Sequence, residues 1–370
     1  MVTETRFPIS NQGGQVRVSH RFSIFTALLA VLVLAGLAAL VGSSSSQASP
    51  RASKATFLAS LVSDIGKFTD RSFNQSQLEG LKRAKTKLHI NILPLQSNTT
   101  SDYTPNFNQA VRAHANITIA AGFLLADTLE TFADQFPNSK FAITDYCAKG
   151  SASKCLAGNV LTKDHPNVMG LDYAANQSGC LVGYLAAEVT KKHGGKQVIG
   201  AVGGLHIPPV DIWMAGYKYC AKLFNKHIKV LIDYSGDFSK SDLCKTIADN
   251  QIAQGSFVEF QVAGGCGLGA LKSADAHHVW GIGVDKDQSK DAKRVLISGV
   301  KHVDLGVFNV IKTTKAGKFK GNKDLQFTLA NGGMGVGKIH AGVPKAFITA
   351  MNKIKAKIIA GKLHVPKKLT

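Results

Sequence analysis

The chain has 370 residues, room for about two domains of ordinary size. Hydrophobic residues make up 45% and charged residues 18%, an ordinary globular balance with ample core material. The net charge of +20 is not ordinary, yet no Arg-rich or aromatic-interleaved basic stretch accompanies it, which argues against a nucleic-acid partner.

At the N-terminus Arg6, Arg17 and Arg21 precede an apolar run, FSIFTALLAVLVLAGLAALV, at 22–41, followed by GSSSSQASPRASK at 42–54. A basic region, an apolar stretch and small residues predict an export signal cleaved near Ala48. The run is also long enough to span a bilayer, so an uncleaved anchor is the alternative. Either way the rest of the chain is expected outside the cytoplasm, in the periplasm or on the outer face of the plasma membrane. The Ser-rich segment that follows reads as a linker.

Beyond it, eleven short β-branched or apolar runs are expected as strands: 56–62, 89–95, 117–122, 140–145, 167–172, 197–204, 229–235, 257–265, 278–285, 294–300 and 325–331. Helical stretches such as FNQSQLEGLKRAKTKL at 73–88 and NQSGCLVGYLAAEVTKKH at 176–193 lie between them. Strand, helix, strand at this cadence predicts parallel sheets covered by helices. Eleven strands are too many for one doubly wound sheet of this length, so two α/β lobes are expected. The end of the chain is basic, with thirteen Lys and one Asp from Ile311 to Thr370, which reads first as a solvated face.

In open α/β sheets a ligand sits beyond the carboxyl ends of the strands. Polar and aromatic residues gather there in both halves of the chain: Asp64 after the first strand, Asp145 after KFAIT, Phe238 in SGDFSK, Gly265 in AGGCGLGA, Asp285 after HVWGIGV and Lys301 after RVLISGV. This pattern predicts a cleft between two lobes. Asp70 with Ser72 is first a helix-cap signal. Asp64 has no helix to cap at once, and a carboxylate there suits a hydroxyl-rich ligand. Phe73 beside Asn74 opens a helix, and Phe238 stands in a polar loop. Facing each other, the two rings would clamp a flat ligand.

Gly265, Gly267 and Ala270, with Asp285 twenty residues past Gly265, also fit a dinucleotide fingerprint. An exported protein has little access to NAD, and the plainer account is backbone approach to a ligand near a helix N-terminus. No G-x-S-x-G, H-E-x-x-H or P-loop occurs, His277-His278 reads as structural, and neither a catalytic residue, a metal nor a cofactor is expected. An even count of six Cys in an exported chain permits disulfides, with fifteen possible pairings. Cys147 and Cys155, which flank the short loop AKGSASK, are the first pair expected.

The ordered motifs D-x-G-x-x-x-D-x-S-F-N-Q (Asp64–Gln75), SDYTPNF, AAGFLLAD, FAITD, GYLAAE, VGGLHIPPV, GDFSKSD, FQVAGGCGLGAL, GIGVDKDQ, SGVKHVD and GKLHVP resemble the basic membrane protein family from about Thr56 to Pro366. These are substrate-binding proteins of ABC importers and include purine nucleoside receptors. The resemblance implies a type I periplasmic-binding-protein fold, an α/β architecture of two doubly wound parallel-sheet lobes joined by a three-strand hinge. One lobe would comprise 55–172 and about 281–306, and the other 173–280 and about 307–370, after the 1–54 leader and linker.

It further implies that Phe73 and Phe238 sandwich a purine, Asn74 and Asp145 bond its edge, and Asp64 and Asp285 accept from ribose hydroxyls. Gly265 would lend backbone and Lys301 an ammonium. The implied partners are a purine nucleoside and ABC permease subunits, for a monomeric binding protein rather than an enzyme. A sugar or autoinducer on the same fold is the alternative, and an exported NAD-dependent oxidoreductase a more distant one. Three departures stand out: LVGSSSS carries no lipobox Cys, Lys67 replaces a common second Gly, and the acid usual after GDF is displaced to Asp242.

Overall fold

Each of the eleven expected runs carries a strand. The computed structural model describes residues 56–369, all within the compact unit Lys54–Thr370. The apolar run at 22–41 and the expected cleavage at Ala48 lie outside the described residues. Among the described residues no helix is long and apolar enough to cross a membrane.

The first sheet contains β1 (Leu58–Ser63), β2 (Asn91–Leu95), β3 (Ile117–Ala121), β4 (Phe141–Thr144), β5 (Val168–Tyr173) and β11 (Lys323–Phe327), in the order β11-β5-β4-β3-β1-β2. Its pairings are all parallel. β3, β4 and β5 are buried at every residue, whereas the edge strands β2 and β11 are largely not. That is why the central runs read as unbroken apolar stretches rather than alternations. Helix α1 (Phe73–Leu88) packs against α8 (Val303–Lys315), where Arg83 donates to Asp304 at 3.1 Å. A separate core holds Phe107 of α2 (Tyr103–Arg112), Phe132 of α3 (Ala126–Gln135) and Phe141 of β4. Ring centroids there lie 5.2 and 6.2 Å apart, and burying each such ring contributes about 1.5–3 kcal/mol.

The second sheet contains β6 (Val198–Gly203), β7 (Lys229–Tyr234), β8 (Ser256–Val262), β9 (Trp280–Asp285), β10 (Val295–Lys301) and β12 (Met334–Val336), in the order β12-β10-β9-β8-β6-β7. Only β12 runs antiparallel to its neighbour. Helices α4 (Ala175–His193) and α5 (Pro208–Phe224) are joined by the disulfide Cys180–Cys220. Helices α6 (Ser241–Ala253) and α7 (Gly267–Ala276) are joined by Cys244–Cys266. The expected bridge Cys147–Cys155 is the third, and no described cysteine is free. Helix α9 (Lys345–Ile359) is the last helix of the described residues and buries Met351, Ile354 and Ile358.

The sheets correct the expected lobe division. β9 and β10 belong to the second sheet, not the first, and β11 returns to the first sheet, not the second. The physical reason is pairing: β9 hydrogen-bonds β8, and β11 hydrogen-bonds β5. The chain therefore crosses between sheets three times, after β5, after β10 and after β11. These crossings are knit together. Ala174 N–H donates to Phe327 O at 3.0 Å, His302 N–H donates to Gly333 O at 3.0 Å, and the Tyr173 and Phe327 rings stack at 4.5 Å.

Candidate ligand-binding cleft

The carboxyl ends of both sheets face one cavity. Asp64, Phe73, Asn74 and Asp145 line it from the first lobe, and Phe238, Asp285 and Lys301 from the second. Seven of the eight expected residues thus come together. Gly265 does not line the cavity. Its neighbour Gly264 does, at φ +56°, while Gly265 stands against the Phe238 carbonyl and Asp70.

The strand-end acids are built alike. Asp145 follows β4 at φ 65° and Asp285 ends β9 at φ 64°, both in the left-handed region. A non-glycine residue held there costs about 1–3 kcal/mol, and such strain gathers at functional sites. Asp64 is fixed differently: its Oδ1 accepts from Gly66 N–H and Asn74 Nδ2, each at 2.8 Å. The cap signal at Asp70 is realised, since its carboxylate accepts Ser72 N–H, Asn74 N–H and Gln75 N–H at 2.8, 2.8 and 3.0 Å. This satisfies free donors at the start of α1 and sets the angle at which Phe73 and Asn74 leave the helix. Ser72, freed from capping, donates its hydroxyl to Asp285 Oδ2 at 2.7 Å.

Lys301 is the counter-ion. It is 2% exposed, its Nζ lies 2.5 Å from Asp145 Oδ2, and it stands 4.8 Å from the Phe73 ring centre. Four buried acids (Asp64, Asp70, Asp145 and Asp285) share this one lysine within the lining. Burial pushes Asp64 from 3.8 up to about 6; Gly66 and Asn74 pull it back, and the charges of Asp145 and Asp285 push it further up. Asp285 rises to about 6 through burial, offset in part by Lys301 and the Ser72 hydroxyl. Asp70 also rises to about 6 through burial, against its three backbone donors. One acceptor is left open: Asn74 Oδ1 is buried and has no hydrogen-bond partner.

Each ring rests on glycine backbone. A Cβ on Gly122 would come 3.0 Å from Phe73 Cε1, and one on Gly204 would come 2.3 Å from Phe238 Cδ1. Side chains there would drive the rings into the cleft. Sequence reasoning missed the apolar lining from Phe123, Leu124, Pro209, Val210 and Trp213. An apolar residue on a helix carries no mark that separates lining from core; only the VGGLHIPPV motif before Trp213 pointed there.

Polar contacts also join the two lobes outside the cavity lining. Arg71 pairs with Asp291, Lys286 Nζ lies 2.5 Å from Glu79 Oε1, and Gln288 Nε2 donates to Arg71 O at 3.2 Å. The enclosed space is about 70 Å³, whereas ligand pockets run to about 300–1,000 Å³.

Two parallel-sheet lobes, three linked crossings and a cleft at the strand ends are the architecture of the periplasmic-binding-protein fold. The chain belongs to the Bmp family, described as ABC transporter substrate-binding protein, PnrA-like, which matches residues 58–368. It is 34% identical over 364 residues to the ABC transporter nucleoside-binding protein BmpA of Lactococcus lactis, covering 92% of this chain and 98% of that one. It is 30% identical to the CD4+ T-cell-stimulating antigen of Listeria innocua, over 93% of this chain and 98% of the relative. Among solved structures, a solute-binding protein of an Aeropyrum pernix ABC transporter system superposes with a TM-score of 0.73 at 25% identity, covering 84% of this chain and 94% of that one. The family's role is to bind a substrate for an ABC transporter, outside the cytoplasm, rather than to catalyse a reaction.

Proposed function

We propose that the cleft binds a purine nucleoside and delivers it to the permease of an ABC importer. The observation that carries this reading is the meeting, in one cavity, of a phenyl ring from each lobe with three strand-end carboxylates. Phe73 and Phe238 stack the base from opposite sides, each face contributing about 1–3 kcal/mol. The open Asn74 Oδ1 accepts an N–H from the edge of the base. Asp64 and Asp285 accept from the ribose hydroxyls, and Lys301 neutralises Asp145 within reach of the base edge. Gly264, in place of Gly265, supplies backbone at the wall. The name of the Lactococcus lactis relative supports the ligand class.

Selectivity follows from what stays unpaired. Without a ribose, buried carboxylates lose their donors, at about 1–3 kcal/mol each. Without a base, the rings close on nothing flat. A ligand that touches both lobes favours the closed arrangement, and that closed shape is what a permease would recognise. The reading includes a monomeric protein acting outside the cytoplasm, held or released according to the fate of its N-terminus. Calorimetric titration with inosine, guanosine, adenosine, hypoxanthine and ribose tests the ligand. Nucleosides should bind far more tightly than either fragment. Ribose or another sugar binding as tightly as inosine would replace this reading with a sugar receptor.

A further inference from the structure

Phe238 stands in a loop with little to hold it. Gly236, Ser239 and Lys240 of this loop are exposed. Its start is tied to the end of β6, where Ser235 N–H donates to Gly203 O at 2.9 Å and Gly236 N–H to Gly204 O at 3.0 Å, but past Gly236 its own bonds are local: Asp237 Oδ1 accepts Ser239 N–H at 2.6 Å and Lys240 N–H at 2.9 Å. What fixes it to the rest of the lobe lies beneath. Cys266 N–H donates to Phe238 O at 2.9 Å, and Cys266 Sγ lies 3.0 Å from Lys240 O and 3.4 Å from Ser235 Oγ. Cys266 belongs to the next strand-to-helix loop, which carries Gly264 into the cavity. Its disulfide partner Cys244 lies in the first turn of α6, just past the Phe238 loop. Both cysteines are fully buried, against Val202, Ala248, Ala263 and Ala270.

We propose that the Cys244–Cys266 disulfide is a positioning element for ligand binding: it clamps the Phe238 loop to the Gly264 loop, so that the ring is already set against the cleft wall before a ligand arrives. The proposal rests on the nucleoside reading above. A pre-set ring spares the ligand the ordering of a loop, and rigidifying a binding element in its bound form raises affinity by that route. Cys180–Cys220 in the same lobe provides the contrast. It links α4 to α5 about two turns beyond Trp213 and touches neither loop.

The test is a double-mutant cycle by calorimetry with inosine, on wild type, Cys244→Ala/Cys266→Ala, Phe238→Ala and the triple variant. Breaking the bridge should weaken inosine binding about tenfold in wild type and less than about twofold in the Phe238→Ala background, because the bridge acts through that ring. Cys180→Ala/Cys220→Ala should lower Tm and leave the Kd within about twofold. Equal losses in both backgrounds, or no loss, would overturn the proposal. Hydrogen exchange on the ligand-free proteins decides it without any nucleoside. The bridge-free variant should lose protection across 235–240 and 263–267, the two loops that meet at Cys266, and unchanged protection there would overturn the proposal. Failure of the nucleoside reading shows separately, as a wild type that does not bind inosine or a Phe238→Ala variant that binds it equally well.

Discussion

Acidification should weaken ligand binding and, through the same groups, favour the empty protein. Asp64 and Asp285 each titrate near 6 in the free cleft. Each is then largely ionised at pH 7.5 and largely protonated at pH 5.0. A ribose hydroxyl donates to the ionised form, so binding holds that form in place; affinity is full above about 6 and lost as pH falls through it. Requiring one ionised carboxylate costs about tenfold in Kd between those pH values, and requiring both costs about a hundredfold, or about 2.7 kcal/mol. In the empty protein Asp64, Asp70 and Asp285 act the opposite way. Their folded pKa of about 6 lies above the ordinary 3.8, so their contribution to stability is present below 3.8 and is lost as pH rises through about 6. From pH 7.5 to 5.0 these acids therefore raise the stability of the empty protein while the rise in Tm caused by inosine shrinks. Calorimetry across this range at fixed ionic strength reads the affinity, and thermal melts with and without inosine read the rest. Asp64→Asn should remove about tenfold of the pH dependence. A Kd that stays flat, or tightens, toward pH 5.0 would refute the assignment of these carboxylates as hydroxyl acceptors.

Phe73→Ala and Phe238→Ala should each weaken inosine by about 1–3 kcal/mol, with the circular dichroism spectrum retained; unchanged affinity in both would remove the clamp. Lys301→Met leaves Asp145 buried without its counter-ion and should cost about 3–5 kcal/mol in urea unfolding. Adding Asp145→Asn should restore most of that stability, since Asn tolerates the left-handed backbone at this position. Arg71→Ala/Lys286→Ala breaks two partly exposed interlobe pairs worth about 0–1 kcal/mol each, so inosine binding should weaken by at most about thirtyfold at physiological salt. That deficit should shrink, without disappearing, at 1 M salt, because contact pairs with one partly buried partner are screened only in part.

The strand inventory was legible because buried central strands are apolar throughout: ITIAA and FAIT admit few other readings. Helix α1 was legible down to its first residue because Asp70 and Ser72 mark its start. β12 was not, since GGMGVG offers three paired residues and no apolar run. The lobe division failed for another reason. Sheet membership is decided by pairing between distant segments, and nothing local in LQFTLAN says that it joins β5 rather than β10. The polar half of the cleft could be read, because acids and rings at strand ends have no packing role to hide behind. Its apolar half could not, because Val210 and Trp213 look like core in any helix. Cys147–Cys155 was legible from its short loop, whereas Cys180–Cys220 and Cys244–Cys266, at separations of 40 and 22 residues, required helix packing to bring them together. The interlobe contacts between Arg71, Glu79 and the loop after β9 join segments 207 or more residues apart and left no local trace.

A crystal structure of the protein soaked or grown with inosine would reach the central point. The hypoxanthine ring should lie between Phe73 and Phe238, with the ribose hydroxyls on Asp64 and Asp285 and the lobes closed over it. Density for the nucleoside anywhere else, or a filled cleft in which the two phenyl rings touch no heterocycle, would contradict the account.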